Sequence, residues 1–445
     1  MTTKLLFSDD RGRVYDHPRL LAAVRSGDDL LPPPEAPVPL PDGATLTMLP
    51  GRRPVGIDPV TGEAVVVREV KVGRRTIVPH AVGATLPPGF TRTFLPAAAR
   101  PALPTAGDAS ILPQWAYTAA GLGPADAPVA WALHTDRRAH WSPAAHSTPA
   151  LPAAVERMLA ASPNPIYRQL SRCALEWRCF TAQNTFYARD EGAIPSSASC
   201  NAACVGCLSE SEEGMPPSSH ERIARAPTAE EMADLAVRHL TTASGRVMVS
   251  FGQGCEGEPL TRWKEIARAI RLIRARTARG SIHANTNGSL PEALSALVDE
   301  GLDSIRVSLN SASPDLYQAY YRPSGYGLED VRRTLAVARR RGVYVALNLL
   351  TFPGVTDRAG ELERLCALVA EAQVEQVQTR PLAIDPDVYM ALARERGGQG
   401  PALGIPALVR ALRRARPGLV VGNFSRARAE RRAPARRRAS GRGAR

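Results

Sequence analysis

The sequence predicts an α/β fold: an open, partial (β/α)6 barrel, preceded by a β-rich region and followed by a disordered basic tail. Three observations carry this. First, helical and strand periodicities alternate from residue 229 onward: helix Ala229–Leu240 and strand Arg246–Phe251, helix Arg262–Arg276 and strand Ile282–Thr286, helix Pro291–Glu300 and strand Ser304–Leu309, helix Leu328–Arg340 and strand Val343–Leu350, helix Ala359–Ala372 and strand Gln376–Thr379. Such alternation means a parallel sheet with helices outside. A short strand over Ala193–Ser199, with Pro195 at its start, makes six units, too few for the closed eight-stranded barrel. Second, residues 43–135 carry short β-rich runs broken by turns. Third, nine arginines and one acid, Glu430, crowd the last 25 positions, Val421–Arg445, a composition that cannot bury a core.

Taken in order, residues 1–42 read as an irregular arm, polar and then proline-rich from Leu31 to Pro41. Residues 43–147 read as a small β-rich domain. Its strands are Ala44–Met48, Val65–Val72 and Arg75–Val78, with a further pair at Trp115–Thr118 and Val129–His134, punctuated by Asp58–Gly62 and Gly73. Its histidines, His80 and His134, and the nearby His140 and His146 show no metal-ligand spacing. Residues 148–192 read as a helical connector, with helices at Ala153–Ala161 and Pro165–Arg178. The partial barrel spans 193–390, a helical segment 391–420 and the tail 421–445.

Bulk numbers narrow the class. A chain of 445 residues has room for two or three domains. No apolar run reaches the roughly 18 residues of a membrane helix, and Met1–Arg13 has no apolar signal core. These features predict a cytoplasmic protein. The net charge of +13 is concentrated in the tail, which contributes +8 of it. The tail is therefore a candidate nucleic-acid contact, although biased coding explains it as well, since arginine provides all but three of the basic residues. Seven cysteines is an odd number for a disulfide framework, and their clustering favours metal.

The chemistry-bearing residues fall at the strands' C-terminal ends, where parallel α/β folds bind ligands. Cys200, Cys204 and Cys207 stand at C-x3-C-x2-C spacing in one short loop. Three thiolates leave one position of a four-coordinate metal, or one iron of a cubane, open. Phe251–Leu260 is glycine-rich and contains Gly257, Glu258 and Pro259. Its backbone can approach a ligand closely, and Glu258 can accept hydrogen bonds from an ammonium group. Thr286 and Asn287 end the next strand, Ser308 and Asn310 the one after, and Asn348 the fifth. Polar groups ending apolar strands cost stability unless they bind something, and hydroxyls and amides suit ribose and adenine edges. Arg322, in Tyr320–Pro323, is an anion-pairing candidate or a surface arginine. Cys173 and Cys179 are readable as an extra metal pair or as small buried residues. Cys255 is readable as a radical quencher or, again, as a buried residue.

Taken together, these motifs resemble the radical S-adenosylmethionine (SAM) enzymes, over roughly residues 190–390. One departure is the missing aromatic before the third cysteine, where Val205 and Gly206 stand. The loops Phe352–Asp357 and Arg380–Pro386 resemble those of the molybdenum-cofactor-biosynthesis and peptide-maturation branch. The resemblance implies that the three cysteines hold a [4Fe-4S] cluster whose fourth iron is chelated by the amine and carboxylate of SAM. It implies that Gly257, Glu258 and Pro259 hold the SAM amino group. Ser308, Asn310 and Asn348 would lie near its ribose and carboxylate, with Thr286 and Asn287 nearby. Reductive cleavage of SAM would yield a 5′-deoxyadenosyl radical that takes hydrogen from a substrate, a peptide or protein being favoured. The implied partner is an electron donor such as a flavodoxin or ferredoxin. A single cluster is expected, because no cysteine follows Cys366. The rival reading is a non-catalytic cluster- or zinc-binding regulator whose tail contacts RNA.

Overall fold

The computed structural model describes residues 3–101, 111–253 and 256–427. Its centre is a seven-stranded parallel sheet with strands in chain order. They are β1 (Arg189–Ile194), β2 (Ser244–Phe251), β3 (Ser281–Thr286), β4 (Ser304–Leu309), β5 (Tyr344–Thr351), β6 (Gln376–Pro381) and β7 (Val420–Gly422). Helices Ala229–Thr242, Trp263–Arg276, Pro291–Asp299, Leu328–Arg340, Ala359–Glu371 and Ile405–Ala415 connect successive strands, which is the open half-barrel that the alternation predicts.

Local chemistry fixes these elements. Thr228 caps helix Ala229–Thr242, accepting from the Glu231 N–H at 3.2 Å, while Glu231 accepts from the Thr228 N–H at 2.9 Å. Helix Trp263–Arg276 buries Ile266, Ile270 and Ile273 at helical spacing. Successive strand residues alternate faces. Arg306 and Ser308 therefore share one face of β4, and in register Ser308 sits beside Asn348 of β5 and Asn348 beside Gln378 of β6.

Four expectations are corrected here. Residues 1–42 are not an irregular arm. They contain strands Lys4–Ser8, Val14–Ala22, Val24–Ser26 and Asp29–Leu31, and Leu5, Leu6 and Phe7 are buried. Pro18 is tolerated because it lies in the irregular stretch between the Lys4↔Leu21 and Leu6↔Asp16 pairings, where its missing N–H breaks no ladder bond. The first barrel strand, at the edge of the sheet, ends at Ile194 rather than crossing Pro195, since proline has no N–H to give to the ladder. The disordered-tail reading fails over 421–427. β7 pairs with β6, and Val421, Asn423, Phe424, Ser425 and Ala427 are buried. The Asp136 carboxylate accepts the N–H groups of Asn423 and Phe424 at 3.1 and 3.3 Å. The partners of this segment lie some 40 and some 290 residues upstream, so local composition could not reveal them. The rest of the arginine-rich stretch, 428–445, lies outside the described residues. The Val65–Val72 run is two strands, Ala64–Val66 and Val70–Val72, with different partners.

The N-terminal strands form antiparallel sheets, and these are clamped to the loops that follow β5 and β6. Arg52 Nη2 meets Asp385 Oδ2 at 2.7 Å with both side chains buried, and Arg25 Nη1 meets Asp387 Oδ1 at 2.7 Å. Arg92 is fully buried and donates to the carbonyls of Tyr117 at 2.9 Å and Leu382 at 2.8 Å. Gly27 donates its N–H to Pro353 O at 3.0 Å. Gly354, at φ +84°, would place a Cβ only 1.9 Å from Gly27 N, so glycine is required there by both conformation and space. Asp385 also accepts the Asp387 N–H at 2.8 Å, capping helix Pro386–Ala393.

Removing one partner of a buried ion pair costs about 3–5 kcal/mol. Asp385→Ala should therefore lower the unfolding free energy by about that amount, seen as a lower urea midpoint at unchanged slope. An unchanged midpoint would show that the clamp does not stabilise the fold.

Candidate functional site

The cysteine loop hangs between β1 and the helix Ala229–Thr242, and backbone contacts hold it on two sides. On one side, Val205 N–H donates to Tyr320 O at 3.0 Å, Ala203 N–H to Tyr321 O at 3.1 Å, and Ser324 N–H to Asn201 O at 2.9 Å. These bonds tie it to the end of helix Pro314–Tyr321, an element the sequence reading did not resolve. On the other, Gly257 N–H donates to Ser197 O and Glu258 N–H to Ser199 O, both at 2.8 Å. A Cβ on Gly257 would stand 1.8 Å from Ser199 O. This glycine therefore lets one protein segment approach another.

Glu258 is 3% exposed and braces the site internally. Its Oε1 accepts from Leu260 N–H at 2.9 Å and Thr286 Oγ1 at 2.5 Å, and its Oε2 from Asn287 N–H at 2.7 Å. Burial pushes its carboxyl up to about 7 against these bonds, which favour the charged form. Pro259 opens the short helical turn that Glu258 caps. Thr286 Oγ1 also accepts the Gly288 N–H, and Asn287 Nδ2 donates to Asn201 Oδ1 at 2.8 Å. Asn201 Nδ2 in turn donates to Ser289 Oγ at 3.0 Å. The cysteine loop, the Gly257–Pro259 stretch and Thr286–Ser289 thus form one hydrogen-bonded unit.

The sequence reading passed over Glu256, two residues before Glu258. Its Oε2 accepts from Ser196 N–H and Oγ, both at 2.7 Å, and from Ser197 N–H at 2.9 Å. Its Oε1 is buried without a hydrogen-bond partner among the described residues, and burial pushes its carboxyl up to about 8. A second acid in the quoted stretch was the available signal.

Cys200, Cys204 and Cys207 border one cavity of about 380 Å³, together with Asn201, Glu210 and Arg322. Burial pushes the Cys200 thiol up to about 11 and raises that of Cys204 further. Arg222 places Nη2 4.0 Å from Cys207 Sγ. Among the described residues, no three His, Cys, Asp or Glu side chains converge as they would on a single metal ion. A cluster makes no such demand, since it takes one thiolate per iron. Arg322, read as a possible carboxylate partner, is ion-paired with Glu212.

Farther along the sheet, Asn310 is fully buried. Its Nδ2 donates to Tyr389 Oη at 3.2 Å, and its Oδ1 has no partner among the described residues. Asn285 Oδ1 is in the same condition. Ser308 and Asn348 are half-buried neighbours in register. Orphaned buried acceptors at the ends of β3 and β4 fit a polar ligand that completes their hydrogen bonds. Cys173 is buried, with its carbonyl accepting the Cys179 N–H at 2.9 Å. Cys366 lies on helix Ala359–Glu371, and Cys255 falls outside the described residues.

The close approach at residue 257 is testable by stability alone. Gly257→Ala should cost about 1–3 kcal/mol, as overpacking does. Gly327→Ala, with nothing within 4 Å, changes only a helix N-cap and should lower the melting temperature less. Equal melting temperatures would mean that the two backbones are not held together.

Residues 194–366 match the Radical SAM superfamily family model. The FeMo cofactor biosynthesis protein NifB of Klebsiella pneumoniae is 28% identical over 185 residues, covering 37% of this chain and 37% of NifB. A GTP 3',8-cyclase of Streptomyces coelicolor is 30% identical over 160 residues, covering 36% of this chain and 43% of the cyclase. Among solved structures, a radical SAM methyltransferase from Sphaerobacter thermophilus covers 52% of this chain and 66% of its own, at 17% identity and a TM-score of 0.37. The chain spans less than half the length of the curated relatives named here. No described helix is long and apolar enough to cross a membrane. The superfamily uses a [4Fe-4S] cluster and SAM together with a reductant. The loop of Cys200, Cys204 and Cys207, braced by Glu258 at the C-terminal rim of a parallel half-barrel, thus belongs to a domain of the radical SAM superfamily.

Proposed function

We propose that this chain is a radical SAM enzyme in which Cys200, Cys204 and Cys207 hold a [4Fe-4S] cluster. The single observation that carries the reading is the hydrogen-bonded unit joining the cysteine loop to Gly257–Pro259 and Thr286–Ser289. A zinc or purely regulatory site has no use for that brace, nor for the orphaned acceptors of Asn285 and Asn310. When bound, the cluster and SAM supply reductive cleavage of the sulfonium and hydrogen abstraction from a substrate; the protein contributes position and electrostatics.

The chain's own residues divide that work. The three thiolates bind three irons and leave the fourth without a protein ligand. Glu258 fixes Thr286 and Asn287 through its two oxygens, so its first task is to shape the SAM site. The free acceptors for a polar ligand are Glu256 Oε1, Asn285 Oδ1 and Asn310 Oδ1. Ser308 and Asn348 present neighbouring polar groups from β4 and β5. Arg222, near Cys207, offsets the charge of the thiolates. The N-terminal strands cover the loops after β5 and β6, leaving the cysteine side to the cofactors. We assign the substrate to the peptide or protein class, because an antiparallel layer beside the barrel rim offers strand edges to an extended chain. A flavodoxin- or ferredoxin-type donor and the reducing cytoplasm complete the reading.

The test is anaerobic reconstitution with iron and sulfide. The wild-type chain should take up about four irons and cleave SAM once reduced. Replacing any one of the three cysteines by Ala should abolish both the visible absorption and the cleavage. Cys366→Ala should leave both intact. A Cys204→Ala protein that kept its cluster and its activity would refute the assignment.

A further inference from the structure

The loop between Cys204 and Cys207 contains a glycine whose identity the backbone does not explain. Gly206 is absent from the glycines with positive φ, so any residue could adopt its conformation. Space explains it. A Cβ at 206 would stand 2.9 Å from Tyr320 Oη, 3.5 Å from its Cε2 and 3.6 Å from its Cζ. The edge of the Tyr320 ring occupies the volume that a side chain at 206 would need.

Tyr320 is 2% exposed, and its hydroxyl oxygen is the atom nearest to a Cβ at 206. The phenol is therefore aimed at the middle of the cysteine loop. Its backbone is fixed there, because its carbonyl accepts the Val205 N–H at 3.0 Å. Its ring is locked by edge-to-face contacts with Tyr321, centroids 5.0 Å apart, and with Tyr389, 5.8 Å apart. Tyr389 packs on Phe352 at 4.7 Å and accepts the Asn310 amide. A continuous aromatic wall therefore runs from the cysteine loop to the orphaned Asn310 acceptor. The wall is built from helices Pro314–Tyr321 and Pro386–Ala393 and the loop after β5.

We propose that Tyr320 forms the inner wall of the three-cysteine centre. It supplies from a distant helix the aromatic ring that is missing between Cys204 and Cys207, and it presents its hydroxyl to that centre as a hydrogen-bond donor. Two effects follow. The ring excludes water from one side of the centre. The hydroxyl stabilises the more negative, reduced state, because hydrogen bonds and solvent exposure set cluster potentials. Tyr320 is a positioning and tuning residue, and Gly206 is its steric complement. The inference rests on the cluster reading proposed above.

The experiment compares reconstituted full-length variants by iron content, by reduction midpoint in an EPR-monitored titration, and by the rate of bleaching in air. Tyr320→Phe should keep its iron and its bleaching rate but move the midpoint to a more negative potential. Tyr320→Ala should bleach at least about five-fold faster, as solvent reaches the cluster. Gly206→Phe should lose iron by collision with the phenol, and the double variant Gly206→Phe/Tyr320→Ala should regain most of it. That rescue separates a steric complement from general misfolding. A Tyr320→Phe midpoint equal to wild type together with an unchanged Tyr320→Ala bleaching rate would overturn the inference alone, as would a double variant no better than Gly206→Phe. A wild-type chain that takes up no cluster would overturn the proposed function, and this inference with it.

Discussion

The site depends on two backbones in contact. At Gly257 the Phe251–Leu260 stretch lies so close to Ser199 that no side chain fits between them, and two N–H···O bonds pin the approach. Everything around the thiols follows from this. With residue 257 held against the cysteine loop, the next residue, Glu258, faces Thr286 and Asn287 at the end of the neighbouring strand. Asn287 then reaches back to Asn201 inside the cysteine loop. The result is a closed ring of hydrogen bonds across three connections. A buried, fully engaged carboxylate at its centre gives it rigidity, because a half-satisfied network in a low dielectric would be costly.

A second constraint acts from outside the barrel. Seven parallel strands leave the half-barrel open, and an open sheet presents polar backbone and cavity to solvent. The N-terminal antiparallel layer and the segment after β7 supply cover. Arg25 and Arg52 reach across to Asp385 and Asp387, and Asp136 takes two N–H groups of the final described segment. Ser425 Oγ donates to Glu191 Oε1 and accepts from Arg306 Nη1, both at 3.1 Å. The end of the described chain thereby satisfies polar residues inside the barrel. The arginine-rich composition of the C-terminal stretch concealed this, since a segment that plugs a polar interior needs few apolar residues of its own.

The clamp and the brace act on opposite sides of the same rim. The brace organises the loops after β1, β2 and β3, and the clamp those after β5 and β6. Asn310 and Tyr320, after β4, stand between them. A ligand bridging the two halves would meet fixed groups on both sides, and this pre-organisation reduces the ordering cost of binding.

The sequence by itself determined the half-barrel and the three thiols. Alternating strand and helix periods are local properties, so the strands within 244–381 were legible from single stretches, as was the C-x3-C-x2-C spacing. Glu258, Thr286, Asn287, Ser308, Asn310 and Asn348 could be placed on one rim, because parallel topology puts all strand ends on the same side. Only the tertiary structure decided what those residues touch. Glu258, whose resemblance-based role is contact with an ammonium group, has both oxygens engaged by the protein. Residues 4–31 form strands whose partners lie as far as residue 122, and β7 pairs with a strand about 40 residues upstream. Tyr320 reaches Gly206 across more than a hundred residues of chain. The physical reason is common to all four. Periodicity is written in neighbouring residues, whereas a steric gap, a ladder partner or a buried donor is fixed by whatever else the fold brings to that point.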